Sequence, residues 1–545
     1  MEYFVETYKN TYILRGSEMI KIKNPYSKKR FTLKEEAQKK FTRIVIPWIN
    51  KIPLKDDWNA KRRFIPQSLN RVRIDLEYQK RRFRTNDIPK DVQVNLLSMR
   101  VAEYIPIENI DKLNKGLKRL FKVFKPKWYT NEISRIDDFC REVKQSIHGS
   151  RWSLFGNLVI DEKSELNNYV KQIRVNGTQI SSSSVIIEFV IEPSDNYKKA
   201  YKELIDRNVE EEKILTPKLK QFLTHWGSRT PSNTMAKEKM VEDLLLELKW
   251  RTLKEINKYF DLYFYDNKLI PPSIEVYKIS EMSCKYKYGE DEDINQFWDS
   301  IGMRDSHYHE ISKEGHWQLF ANENDYLLDS SVKLTCNEIV PKKELYNSID
   351  SQMVFFVEEL ALNLLPMLVM RNYTLGLSKK IAEQQTSTFK SIKKAKPKYK
   401  KLINIRYELE QNLQILKRFK NEMGESEFDW MKAEILSGLR NFEPARPRFH
   451  NKPWGEMIVD NTSYLIERTD SLSKNFVQII DDTVRLLEIK TNNSLRKRTF
   501  WLTIFTVILS ILATFIAATS LYLQLSSENQ QEIKDSLSPI FNLFM

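Results

Sequence analysis

The sequence predicts an α+β domain followed by a long helical stalk and one C-terminal transmembrane helix. Three observations predict it: strand-like runs alternate with helical ones up to about residue 345, Leu465, Leu472, Ile479 and Leu486 recur every seven residues, and no charge falls between Thr499 and Ser527. A chain of 545 residues has room for several folding units.

The N-terminal region, 1–345, is expected to be a cytoplasmic sensing or binding region, with an internal break near 150–190. Phe41 to Ile49, Val72 to Tyr78 and Val92 to Ile105 are rich in β-branched and aromatic residues with partial alternation, as strands require. Leu113, Leu117, Leu120 and Phe124 then fall at helical spacing. Trp152 to Ile160 and Ser184 to Pro193 read as strands, the second bounded by serines and a proline. Ser232 is placed to cap a helix carrying Met240, Leu244, Leu248, Leu253, Ile256 and Phe260. Strand character returns at Ile274 to Ile279, His316 to Phe320 and Ser331 to Cys336.

Residues 346–460 are predicted helical. The apolar run Met353 to Met370 carries Glu358, Glu359, Asn363 and Pro366, and an ionised group at bilayer depth costs about 2.5–3.5 kcal/mol, so it reads as a buried helix. A lysine-rich stretch with Pro397 interrupts the helical pattern, and a second helix from about Leu402 to Phe442 relaxes near Gly424. After a proline-rich connector, Asn461 or Thr462 is expected to cap a stalk at 461–498. Its seven-residue repeat predicts packing against another long helix, in the same chain or in a second copy through Leu465, Leu472, Ile479 and Leu486.

The segment 499–525 is predicted to span a membrane, since about 20 apolar residues suffice to cross the hydrocarbon core. Phe500 and Trp501 mark one interface and Tyr522 the other. Arg485, Lys490, Arg496, Lys497 and Arg498 precede the run and only Lys534 follows it. By the positive-inside rule the N-terminal region lies in the cytoplasm at the inner or plasma membrane, and the short tail 526–545 lies outside. Cys140, Cys284 and Cys336 are scattered and odd in number, which fits a reducing compartment.

Composition excludes several chemistries. Glycine numbers 13 in 545, about a third of the usual roughly 7%. No two glycines lie within five residues of each other, so the dinucleotide turn, the phosphate loop, the nucleophile elbow and the GXXG clamp are absent. The remaining chemical candidates are few. His307, His309, Glu310 and His316 could supply nitrogen and oxygen ligands to a metal, the basis of an alternative reading as a membrane-tethered metal-dependent enzyme. The alternation Asp291, Asp293, Asn295 resembles half a calcium loop, but Gln296 stands where the turn glycine belongs. The apolar run's Glu358 and Glu359 call for a structural partner such as Lys or Arg.

The formal charge is +15, with 88 Lys and Arg against 73 Asp and Glu. Arg62, Arg63, Arg81 and Arg82 form one basic group, Lys118 and Arg119 sit in a basic amphipathic helix, and 390–401 forms a third. Such patches suit anionic lipid, a nucleotide second messenger or another phosphate-bearing ligand, and, less well, nucleic acid. The sequence does not identify a cofactor.

The stretch 461–525, LIERTDSLSKNFVQIIDDTVRLLEIKTNNSLRKR followed by TFWLTIFTVILSILATFIAATS, resembles the stalk and first membrane helix of the CorA-like divalent-cation transporters. The resemblance implies an α/β cytoplasmic domain and a ring of subunits. The family's Gly-Met-Asn signature is replaced here by ATSLYLQLSSENQ and the second membrane helix is missing, so no transporter residue carries over. Glycine-poor, Lys/Asn/Ile-rich chains with a large cytoplasmic sensor and one terminal span also look like bacterial antiphage effectors that damage the membrane when triggered. The expected function is therefore a single-pass sensor or effector coupling a cytoplasmic ligand to membrane permeability; a structural anchor recruiting a partner is the other alternative.

Overall fold

A computed structural model describes residues 88, 92–124, 132–145, 151–181, 184–207, 233–280, 298, 301, 303, 307–322, 331–337, 349–393, 399–422, 426–445, 452–524 and 527–541. The chain divides into two compact units, 1–380 with 414–470, and 381–413 with 471–545. The strand candidates at 41–49 and 72–78 and the calcium-like loop lie outside the described residues.

The first unit is built on one mixed sheet. Its strands are β1 (Val94–Pro106), β2 (Arg151–Val159), β3 (Val170–Ser181), β4 (Ser184–Pro193), β5 (Ser273–Ile279), β6 (His307–Ser312), β7 (Trp317–Asn322), β8 (Ser331–Asn337) and β9 (Phe442–Pro444). They are ordered β2-β3-β4-β1-β5-β8-β7-β6-β9. All pairs are antiparallel except β5 with β8. The central strand β1 is buried on both faces from Met99 to Ile105, so it shows no clean alternation and buries Arg100 and Glu103 among its apolar residues.

Helices cover both faces. On one side α1 (Ile110–Val123), α2 (Glu132–Gln145), α3 (Asp195–Asp206) and α4 (Asn233–Ile256) pack Leu117, Phe139, Tyr201 and Leu248 into a core shared with Met99, Val101, Phe189 and Tyr277 of the strands. The predicted apolar series of α4, Met240, Leu244, Leu248, Leu253 and Ile256, is buried as a set. Gly116 lets α1 approach the chain after α4, because a Cβ there would lie 2.6 Å from the Phe260 Cβ.

A four-residue helical turn, α5 (Tyr263–Asp266), closes one end of β1. On the opposite face lies α6 (Ile349–Lys393), followed by α7 (Tyr399–Glu422) and α8 (Ser426–Gly438). Tyr104 of β1 meets Tyr373 of α6 at 4.7 Å and Phe419 of α7 at 6.1 Å between ring centres, and Trp317 of β7 meets Phe356 at 4.4 Å. The run containing Pro366 is thus a core helix: Leu364, Leu365, Met367, Leu368, Val369 and Met370 are all buried. Glu358, half-buried, pairs with Arg174 of β3 at 3.2 Å, whereas Glu359 is exposed and its position does not demand a partner.

Two features depart from the sequence expectation. The α+β unit does not stop near 345, because β9 hydrogen-bonds to β6 and brings 442–444 into the sheet. The last soluble helix is not capped at Asn461 or Thr462. It begins at Trp454, as α9 (Trp454–Gln524), and α10 (Ser527–Phe541) follows it. Ile466, Thr469, Ser473, Phe476 and Ile480 of α9 are buried at a 3–4–3–4 spacing one residue away from the predicted line, with Asp470 buried beside them.

In the second unit, the C-terminal part of α6 and the N-terminal part of α7 pack with α9. Ile381, Leu402, Leu409, Leu413, Phe476 and Ile480 are buried there. Arg406 grips Asp481 with two bonds, Nε to Oδ1 at 2.5 Å and Nη2 to Oδ2 at 3.3 Å, and Tyr399 donates to Glu488 at 3.2 Å.

Candidate functional site

The sequence-predicted residues separate into three locations. Arg62, Arg63, Arg81 and Arg82 lie outside the described residues. On α1, Lys118 is not free for a ligand, since its Nζ sits 2.5 Å from the Asp137 carboxylate and, through that hydrogen bond, holds Asp137 below the usual carboxylate range. Arg119 is exposed. Lys112 pairs with Asp261 and Lys144 of α2 with Asp111, so part of this basic surface is neutralised within the unit.

Two of the proposed metal ligands, His309 and Glu310, diverge. His309 and Glu310 are consecutive in strand β6, and consecutive strand residues point to opposite faces. The His309 ring stacks on Phe320 at 4.2 Å, with its Nε2 2.8 Å from Gln318 Oε1. Glu310 turns the other way and accepts from the backbone N–H of Trp454 at 2.7 Å. His316 lies in the β6–β7 turn beside Gly315, whose φ of 74° makes the tight reversal possible, and the His307 side chain is outside the described set. Among the described residues no group of three or more His, Cys, Asp and Glu could hold a metal.

What β6 does hold is the start of α9. Glu310 supplies its carboxylate to the first residue of that helix, where unpaired N–H groups and the positive end of the helix dipole favour an anion. The Tyr308 hydroxyl donates to the Lys452 carbonyl, and the Ala445 N–H donates to the His309 carbonyl at 2.9 Å. Burial nevertheless outweighs the single N–H bond and pushes the Glu310 carboxyl up to about 7. Its Oε2 is buried without a hydrogen-bond partner. A carboxyl that titrates near neutrality therefore sits at the first turn of the longest helix. Sequence reasoning missed it because the partners are 144 residues apart.

A second buried charged centre ties α4 to the parallel pair of strands. Lys249 Nζ donates to Ser331 Oγ at 2.9 Å and lies 3.8 Å from Glu275 Oε1, while Tyr277 donates to the same carboxylate at 3.2 Å. A serine beside a lysine is the arrangement of a Ser–Lys nucleophile. Here the amine serves as the hydrogen-bond donor and ion-pair partner of Glu275, so the group reads as a structural tether.

The predicted oligomerisation line flanks the seam used within the chain. Leu465, Leu472 and Ile479 are half-buried beside it, and Leu486 is 67% exposed. Among the described residues two helices are long and apolar enough to cross a membrane, and their surroundings separate them. The apolar window of α6 is two-thirds buried in the fold, whereas that of α9 has no buried residue, and Phe505, Leu509, Phe515 and Ile516 are exposed. A rise of 1.5 Å per residue makes Thr499 to Gln524 roughly 39 Å long, longer than the ~30 Å hydrocarbon core. So large a contiguous apolar surface is not left in water by a soluble protein. Comparison with protein-family models, with curated proteins and with solved structures finds no match.

Proposed function

We propose that this chain is a single-pass membrane-anchored sensor or effector, in which the α+β unit faces the cytoplasm, responds to a ligand or partner, and acts through α9 on membrane permeability. The observation that carries this reading is α9 itself. It is one helix of 71 residues that starts on the Glu310 cap at the sheet and ends in an apolar segment with no buried residue. Five basic residues ahead of that segment, against Lys534 behind it, set the orientation. The setting that suits a triggered effector of this build is defence against infection.

Self-association through Leu465, Leu472, Ile479 and Leu486 completes the proposal, because a single helix forms no pore. Leu472 and Ile479 lie beside the intrachain seam, so charges there disturb a neighbouring copy more than the bundle's own core of Phe476 and Ile480. The double variant Leu472→Asp, Ile479→Asp is expected to be monomeric in detergent and to leave ion flux at the level of empty liposomes, with the wild type oligomeric and conducting. An unchanged oligomer size, or equal flux from both, contradicts the assembly. A wild type that assembles but conducts nothing favours the anchor that recruits a cytoplasmic partner. The metal-dependent alternative loses support from the divergence of His309 and Glu310.

A further inference from the structure

The face of the sheet under α6 carries a polar cluster that the packing does not satisfy. Arg100 of β1 and Arg174 of β3 are both aligned with Val190 of β4, and Ala102, Glu188 and Asn176 form the adjacent row on the same three strands. Asn176 donates to Glu188 Oε2 at 2.7 Å, and Glu188 Oε1 lies 3.4 Å from Arg100 Nη1. Helix α6 closes the group from above. Arg100 Nη1 also donates to the Val357 carbonyl at 3.2 Å, and Arg174 Nη2 lies 3.2 Å from Glu358 Oε2.

The charges of the cluster balance, two arginines against two glutamates, but its hydrogen bonds do not. A guanidinium has five N–H donors in a planar fork. Arg100 is 2% exposed, yet its Nη2 has no acceptor; Arg174 Nε and Nη2 have none either, and Asn176 Oδ1 and Glu188 Oε1 have no donor. Burial, with Arg174 adding to it, draws the Arg100 guanidinium below its ordinary pKa, while Glu188 and Glu358 oppose the shift. Two guanidiniums with unspent donors, one buried and one half-buried, therefore lie on one face of the sheet, and what their donors lack is an acceptor.

We propose that Arg100 and Arg174 form a binding site for the terminal phosphate of a soluble small molecule, which enters by displacing Glu358 from Arg174. The displaced pair is the open part of the cluster, with side chains 23% and 29% exposed, and a partly exposed ion pair without hydrogen-bond geometry is individually weak. A doubly charged phosphate offers several oxygens to both guanidiniums, including the paired contacts arginine makes best. Nucleic acid and a bilayer surface need an exposed basic stripe, whereas these donors lie beneath a helix, which favours a small ligand. Glu358 belongs to α6, so occupancy replaces a contact between that helix and the sheet. This rests on the sensor reading above and names its ligand chemistry.

The test is titration calorimetry of the full-length protein in neutral detergent, with inorganic phosphate as probe and sodium chloride at equal ionic strength as control. Saturable binding of phosphate but not chloride is expected, about tenfold weaker in Arg174→Gln and about tenfold tighter in Glu358→Gln, each step being 1.4 kcal/mol. Neither variant touches the buried Arg100, and both are expected to elute as the wild type does. Absence of phosphate binding, or equal affinity in all three proteins, overturns the site. Capture by phosphatidic acid vesicles that needs Arg174, with no response to free phosphate, overturns the soluble ligand. Because the measurement reads binding without flux or assembly, its outcome is separable from that of the proposed function.

Discussion

Stability of the sheet unit is expected to fall as pH rises from about 4.5 to about 8, and the Glu103→Gln variant is expected to lose most of that slope. Glu103 lies on β1 and accepts hydrogen bonds from the N–H groups of Phe264 and Tyr265, at 2.8 and 3.2 Å. Those two donors favour the carboxylate, but complete burial outweighs them and pushes the carboxyl from 4.5 up to about 8. The folded state thus keeps a proton that the unfolded chain releases above 4.5. Stability is fully present below 4.5 and is lost as pH climbs to about 8. The differential is on the order of a few kcal/mol, since a tenfold change in proton affinity is worth about 1.4 kcal/mol. Urea denaturation followed across this pH range checks it, and wild-type and variant slopes that coincide would show that Glu103 is not held neutral.

The second large effect is expected at the start of α9. In Glu310→Ala the Trp454 N–H loses its buried acceptor, at a cost of about 1–3 kcal/mol. Glu310→Gln keeps an acceptor and should lose less. The local readout is hydrogen exchange: amides from Trp454 to Ile458 should exchange faster in the alanine variant at pH 6, while those of β1 stay protected. Faster exchange is also expected in the wild type as pH passes about 7, because the ionised carboxylate is the costly buried form despite the helix dipole. Equal protection in Glu310→Ala and wild type would mean that the cap does not secure the helix.

Much of this architecture can be read from local pattern. The β-branched runs at Val94–Pro106, Arg151–Val159 and Ser184–Pro193, the helical spacing of Leu113, Leu117 and Leu120, and the buried series of α4 all follow from residues a few positions apart. The long core helix with Glu358 inside it is legible for the same reason. Strand β6 is not, because HYHEIS carries polar and titratable residues that suggest a loop until Phe320, Gln318 and Trp454 are placed beside it. β3 is obscured likewise: Arg174 and Asn176 interrupt its apolar pattern and are explained by Glu188 and Glu358 across the sheet and on α6. Ser473 and Asp470 mask the true seam of α9, so the eye falls on the leucine line beside it. In each case the missing information is a partner distant in sequence.

The anchor itself is the central claim, and extraction of membranes with alkaline carbonate tests it most directly. The full-length protein is expected to stay with the membrane pellet. Ile508→Lys with Phe515→Lys puts two charges into the exposed apolar segment, each costing about 2.5–3.5 kcal/mol at bilayer depth, and is expected to release the protein to the supernatant. Release of the unaltered protein, or equal retention of both, would contradict a membrane-spanning α9.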